Sequence, residues 1–433
     1  MTKQNQSHSH YHADMLSVEE AREIILSSLD VMDSIQIPLG ASLGMVISED
    51  ICSPIDIPPL NNSAMDGYAV KSKDIQNASE TNPVTLTIVG TIPAGELPEF
   101  SVGSGTGARI MTGAPIPRGA DTVVPFEETT ESTFDQPKRP ESVGIYQAAR
   151  KGTYIRPAGG DVKKGQSILL KGTDIHPQTI ALLASMGFSK VPVYRKPEVA
   201  VLSTGNELIE PGSKPTPGKI FDSNTLGIMA SIEAAGGNPK NLGIVRDNLS
   251  DLETRIKEAM SSDLVVTSAG VSVGDYDIVK QALARQGVLN FWSVRMRPAK
   301  PLAFGMLGND ESDQRTPLIG LPGNPVSSLM AFEQFCRPSI RKMIGKKHLA
   351  RPTIQATLTD YIHNDDGRRV YARVTVERDG EHYKATTTGS QGSNILSSFA
   401  IATGLAICPE ADSQKEPGDS VEVVMLHWPE EQI

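Results

Sequence analysis

Leu264-Val265-Val266-Thr267-Ser268-Ala269-Gly270-Val271-Ser272-Val273-Gly274-Asp275-Tyr276-Asp277 decides the fold of this 433-residue chain. Residues 264–267 form an apolar, β-branched run, which predicts a buried strand. Ser268, Gly270, Ser272 and Gly274 then make a loop whose backbone can approach a ligand closely, because few side chains stand in the way. A helix is expected to open at Asp275. Strand, Gly/Ser loop and helix N-terminus together can cradle an anion, and two carboxylates at the rim suit a metal or a proton in transit. Taken alone, the stretch fits a plain strand-to-helix turn equally well.

The flanks extend the pattern. Residues 199–202 read as a strand. Ser223 is expected to cap a helix that Gly236-Gly237 ends, and 242–245 is the next strand. Ser250 and Glu253 form a capping box for a further helix. Extended runs follow at 288–292, 302–304 and 317–319, and a last helix spans 326–344. This alternation predicts a doubly wound, parallel sheet, whose ligands lie at the carboxyl ends of the strands. Ser203-Thr204-Gly205-Asn206-Glu207, Arg246-Asp247-Asn248, the opening loop and Leu321-Pro322-Gly323-Asn324-Pro325 all fall at that edge. One such loop can be chance, whereas four at one edge describe a pocket.

Outside this α/β domain (195–347) the composition changes. Residues 1–14 are polar, with His8, His10 and His12 alternating, and read as a disordered leader. Ser17 and Glu20 open a helix with a capping box. Residues 53–155 carry recurrent prolines and short β-branched runs, which predicts an inserted β-rich domain. The flanking segments 15–52 and 156–194 then form one elongated domain. Gly103-Ser104-Gly105-Thr106-Gly107 superficially suggests a nucleotide loop, but the following prolines forbid the long helix that a dinucleotide site requires. From 348 to 433, Val370, Ala372, Val374 and Val376 alternate, and Asp379-Gly380 marks a hairpin. A small C-terminal β-barrel fits.

Composition excludes several functions. Net charge is −10, against the basic surface that general nucleic-acid binding needs. No apolar run reaches the roughly 20 residues of a membrane span. The three cysteines are widely spaced and odd in number, so neither a disulfide framework nor a zinc site is expected. The polar N-terminus lacks an export signal, and a cytoplasmic location is expected.

The pocket edge offers carboxylates (Glu207, Asp247, Asp275, Asp277) and cations (Lys280, Arg295, Arg297, Lys300). Oxygen donors without a competing His/Cys set suit Mg²⁺. Arg297-Pro298-Ala299-Lys300-Pro301 resembles an oxyanion clamp, and a solvated proline-rich loop fits it as well. Asn324-Pro325 is expected to start a helix with free amides for an anion. No P-loop motif is present. Residues alone therefore indicate a pocket for a phosphorylated anion, with Mg²⁺.

Five motifs in order, 62–69, 109–114, 202–208, 270–277 and 321–327, closely resemble the molybdopterin molybdenumtransferases, the MoeA proteins of bacteria and the E domain of gephyrin. The likeness covers the chain from about residue 15 to the end. It implies a four-part subunit working as a homodimer. It also implies that molybdate is inserted into adenylylated molybdopterin, with Mg²⁺-assisted loss of AMP. Other proteins of molybdenum-cofactor biosynthesis, or apo-molybdoenzymes, are partners that the likeness suggests.

By the same resemblance, Asp66, Thr112 and Asp161 match site positions on the β-rich side. Glu207, Asp247 and Asp277 match carboxylates assigned to Mg²⁺ and water positioning. Arg297 and Lys300 match a basic pair for the incoming anion or pterin phosphate, Pro322 and Pro325 shape the adjoining loop, and Ser393 matches a small-residue position facing the oxyanion. Ser203, Thr204, Gly205, Ser268, Gly270, Ser272, Gly274, Asp275, Lys280, Gly323 and Asn324 complete the expected binding surface. Many bacterial relatives have Lys-Pro-Gly-Lys-Pro at 297–301, so Arg297 and Ala299 are departures, and guanidinium holds anions differently from ammonium. Two other readings are a molybdopterin adenylyltransferase, which lacks the Asp66 segment and the barrel, and a non-catalytic dimeric scaffold.

Overall fold

A computed structural model describes residues 15–133, 140–246, 248–268, 287–308 and 315–428. The chain divides into two compact units. One comprises residues 1–36, 44–48 and 192–433, the other residues 37–43 and 49–191.

The first unit opens with α1 (Val18–Ser27), where Ser17 and Glu20 form the expected capping box. Its α/β domain contains β1 (Glu198–Thr204), α2 (Ser223–Ala235), β2 (Asn238–Val245), α3 (Leu249–Ala259), β3 (Leu264–Ser268), β4 (Gly287–Ser293), β5 (Pro301–Leu307), β6 (Thr316–Leu321) and α4 (Pro325–Ala331). The sheet order is β2-β1-β3-β6-β5-β4. β2, β1, β3 and β6 run parallel, as the alternation predicts, while β5 and β4 join antiparallel.

Two caps sit earlier than the sequence reading places them. Asp222, not Ser223, caps α2, and Asn248, not Ser250, caps α3. Asp and Asn accept from the first turn's amides at least as well as Ser. The last helix is not continuous α either: a π-turn at Phe332–Cys336 links α4 to α5 (Arg337–Met343).

Both sheet faces are covered, so the strands read as unbroken apolar runs. Val199, Val201 and Val266 face a core shared with Val18 and Ile25 of α1, Ile228 of α2 and Phe332. Ala200, Leu202 and Val265 face Leu252 and Ile256 of α3. Each buried valine, leucine, isoleucine or phenylalanine among them contributes about 2 kcal/mol.

The C-terminal barrel is built from β6's downstream neighbours β7 (Thr353–Leu358), β8 (Arg369–Asp379), β9 (His382–Thr387), β10 (Gly404–Cys408) and β11 (Ser420–Met425). Their cyclic pairing β8-β9-β7-β11-β10-β8 closes it with five strands. The hairpin falls at Gly380, where φ is +64°. Val370, Ala372, Val374 and Val376 point into the barrel core, as their alternation requires. Tyr371, on the opposite face, joins the core of the α/β domain.

The second unit holds a five-stranded sheet in the order Thr122–Pro125, Gly67–Val70, Thr106–Ile110, Val84–Ile92, Ser142–Ile145. A strand, not a helix, follows the glycines at 103–107.

Candidate active site

β1 and β3 are neighbours in register, Ser203 beside Ser268. The strands that follow them in the chain, β2 and β4, lie on opposite sides of the pair, and a switch of this kind opens a crevice at the carboxyl ends. A pocket of about 410 Å³ occupies it, a volume suited to a cofactor-sized ligand. Thr204, Glu207, Ser268, Lys300, Pro322, Gly323, Asn324 and Pro325, all expected site residues, line it. Ser203 lies buried beneath, its hydroxyl 2.7 Å from that of Thr225.

Asp222 and Asn224, which the sequence reading did not single out, also line the pocket. The buried Asp222 carboxylate accepts from the Thr225 amide at 3.0 Å and from its hydroxyl at 2.6 Å. Asn224 donates from Nδ2 to Ser268 Oγ and to the Gly323 carbonyl, both at 2.8 Å. It thereby ties the start of α2 to the ends of β3 and β6. Polar residues at 222–224, just ahead of the apolar period of α2, were the available signal.

Glu207 is the exposed carboxylate of the rim. A Cβ at Gly205 would stand 2.7 Å from both Glu207 carboxylate oxygens. Only glycine lets that carboxylate fold back over the loop. Arg297, by contrast, lies outside the lining, with Nη1 3.7 Å from Asp365. Ala299 lines the pocket with φ at +76°, in the left-handed region that a side chain disfavours by roughly 1–2 kcal/mol.

The helix starts as expected, with Asn324 at the cap and Pro325 in the first turn, but its amides are not all free. Asn324 caps α4 without a side-chain bond, and the Val326 amide donates to the Ser393 carbonyl at 3.3 Å. That amide is therefore taken within the chain. Asn324 Nδ2 also donates to Ser393 Oγ at 3.3 Å, which brings Ser393 to the pocket wall. Behind Ser393 stands the fully buried Arg373. Its guanidinium donates to Ser398 Oγ at 2.8 Å, Ser390 O at 2.9 Å and Gly392 O at 3.2 Å, while Nη1 has no partner among the described residues. Burial holds its pKa below the ordinary arginine value.

In the second unit, Gly67 pairs with Ile110 across antiparallel strands, so Asp66 and Thr112 flank the same end of the ladder. Asp66 Oδ1 accepts from the Thr112 amide at 2.6 Å and hydroxyl at 2.8 Å, and these bonds hold its carboxyl below the ordinary range. A Cβ at Gly67 would meet the Val124 carbonyl oxygen at 2.0 Å, which explains the glycine after Asp66. Beneath lies a buried network: Tyr68 donates to Glu131 at 2.5 Å, and Arg109 Nη2 donates to Glu131 at 2.7 Å. Asp161 is exposed, and its amide donates to the Ile57 carbonyl at 3.0 Å.

Asp247, Gly270, Ser272, Gly274, Asp275, Asp277 and Lys280 lie outside the described residues. Among the described residues no group of three His, Cys, Asp or Glu side chains could hold a metal. The pocket's donors are carboxylate, hydroxyl and amide oxygens, which fit a hard cation; of the two described carboxylates that line it, Asp222 is engaged by Thr225 and Glu207 is the exposed one.

Three family models match the chain: the MoeA N-terminal region (domain I and II) over residues 16–187, a probable molybdopterin binding domain over 200–342, and the MoeA C-terminal region (domain IV) over 355–426. Molybdopterin molybdenumtransferase 2 of Mycobacterium tuberculosis is 34% identical over 418 residues, covering 94% of this chain and 99% of its own. The molybdopterin molybdenumtransferase of Nostoc sp. is 35% identical over 426 residues, covering 96% and 95%. The crystal structure of a molybdopterin biosynthesis MoeA protein from Pyrococcus horikoshii superposes with a TM-score of 0.81, at 32% identity, over 96% of this chain and all of its own. No helix among the described residues is long and apolar enough to cross a membrane. With this likeness running through all its domains, the chain belongs to the molybdopterin molybdenumtransferase family and is a transferase of molybdenum-cofactor biosynthesis.

Proposed function

We propose that the chain inserts molybdate into adenylylated molybdopterin, releasing AMP with the help of Mg²⁺, and that it works as a homodimer. The observation that carries this reading is the pocket at the strand ends, lined by Lys300 together with Glu207, Asp222 and the Asn224-tied loops. A substrate with a phosphoanhydride and a dithiolene is polyanionic, and Lys300 supplies a cation for it. Glu207, with Asp247 and Asp277 assigned alongside it on the family resemblance, would hold Mg²⁺. When bound, that ion takes up charge developing as the phosphoanhydride is cleaved. Ser268 and Thr204 offer hydroxyls to phosphate oxygens, and Ser393 orients the incoming oxyanion beside Asn324. Asp66 stays ionised through its Thr112 bonds and is available to order water.

Glu207→Gln tests the assignment. It keeps size and hydrogen-bonding capacity but removes the charge that a hard cation needs. The variant is expected to bind adenylylated molybdopterin and to release AMP at least tenfold more slowly, a loss of ~1.4 kcal/mol of barrier lowering. AMP release at the wild-type rate, with unchanged Mg²⁺ dependence, would remove Glu207 from the metal site.

A further inference from the structure

A second cavity, of about 310 Å³, lies at the other end of the helix that begins at Pro325. The π-turn 332–336 and the start of α5 form one wall, α1 another, and the C-terminal barrel the third. π-turns are rare and recur at functional sites.

Four arginines (Arg22, Arg337, Arg351 and Arg369) and three glutamates (Glu19, Glu333 and Glu422) line it. Arg369 is matched by Glu19 and by Glu410, the latter at 3.1 Å. Of the other three arginines, Arg351 holds Glu333 through both Nε and Nη2, and Arg337 stands beside the same carboxylate. Glu333 accepts from Arg351 Nε at 2.6 Å and stands 3.3 Å from Arg337 Nε. Arg22 donates to the neutral oxygens of Gln334, to the carbonyl at 3.1 Å and to Oε1 at 2.7 Å. No carboxylate among the described residues forms an ion pair with it. Arg337 is buried, with 11% of its side chain exposed. Burial and the neighbouring Arg351 and Arg341 pull its pKa down to about 10. A buried cation short of counter-charge is costly, and an anion entering the cavity relieves that cost. Arg351 also donates to the Leu426 carbonyl and Arg337 Nη1 to the Leu349 carbonyl at 2.9 Å; a guanidinium carries five N–H bonds, more than these contacts use.

We propose that this cavity is a second anion site, distinct from the substrate pocket, built for a tetrahedral oxyanion of the phosphate class on a small molecule, with Arg22, Arg337 and Arg351 as its donors. Three convergent guanidiniums suit three oxygens of such a group better than one planar carboxylate, which a single arginine satisfies. Glu422, exposed on the rim, tempers affinity and gives a control of opposite sign.

The test is calorimetric titration of the full chain with inorganic phosphate. The substrate pocket also attracts phosphate, so Lys300→Ala is titrated in parallel to separate the two. Arg22→Gln should weaken one binding event about tenfold, as expected for loss of a charged hydrogen bond, while molybdenum transfer is unchanged. Glu422→Gln should strengthen the same event, which keeps the test decisive if Arg22→Gln folds poorly. Lys300→Ala should leave that event intact. Phosphate binding untouched by both Arg22→Gln and Glu422→Gln would overturn the proposal. So would its complete loss in Lys300→Ala, which would put all phosphate in the substrate pocket, as would no binding to the wild type at millimolar phosphate.

Discussion

Replacing Arg373 by Met should loosen the wall of the substrate pocket without touching the ligand surface. The fully buried guanidinium gives two hydrogen bonds to the carbonyls of Ser390 and Gly392 and one to Ser398 Oγ. Those carbonyls belong to the loop that presents Ser393 to Asn324. A hydrogen bond from a charged donor contributes about 1.5–3 kcal/mol, so the two loop bonds together hold the loop by roughly 3 kcal/mol or more. Part of the loss is offset because a desolvated cation disappears. A net change near ~3 kcal/mol corresponds to about a hundredfold larger displaced population. Hydrogen exchange should therefore show residues 389–395 losing protection by up to about a hundredfold, and kcat/KM for molybdate should fall in proportion to the fraction of molecules with the loop displaced. Arg373→Lys keeps the charge but offers a single point of donation in place of a fork, so it should recover only part of both. Native exchange rates in this loop for Arg373→Met would refute the reasoning. The brace from the Gln391 side chain, which accepts from the Arg373 amide at 2.8 Å and donates to the Arg373 carbonyl at 3.2 Å, would then suffice alone.

Three further outcomes are expected. Thr112→Val removes the hydroxyl bond to Asp66, so the Asp66 pKa, now depressed, should rise toward the ordinary carboxyl value. Because the folded pKa lies low, these bonds favour the folded state above the unfolded carboxyl pKa and are lost as pH falls through the folded value. Carboxyl ¹³C titration of wild type and variant reads this directly, and equal pKa values would contradict it. Ala299→Gly relieves a left-handed residue and should raise stability by about 1 kcal/mol, less a small loss from the buried methyl; a lower melting temperature would count against it. Gly205→Ala adds a Cβ where the Glu207 carboxylate sits and strains a backbone with φ at +153°, so it should raise the Mg²⁺ concentration for half-maximal activity and lower the melting temperature together.

The α/β core was legible because its strands are buried on both faces and its helices carry caps and a 3.6 period. Val199–Leu202 and Leu252, Ile256 needed no tertiary information to be placed. The pocket edge was legible for the same reason, since strand ends fix where polar loops gather. Arg373 was missed on good physical grounds. It alternates with Val370, Ala372, Val374 and Val376 only as far as the outward face of a barrel strand, which sequence reads as solvent. The structure packs that face against residues 388–398, and no local signal announces it. Asn224 was missed because its amide acts across strands β3 and β6, a contact created by the sheet order. The helix start at Asn324 was read with free amides, but Ser393, 69 positions away along the chain, supplies the acceptor.

The central claim is most directly tested by incubating the purified chain with adenylylated molybdopterin, Mg²⁺ and either molybdate, tungstate or no oxyanion, and following AMP by chromatography. The account predicts AMP in proportion to the metal incorporated, and none without oxyanion. Tight binding of adenylylated molybdopterin with no AMP released when molybdate is present would contradict it.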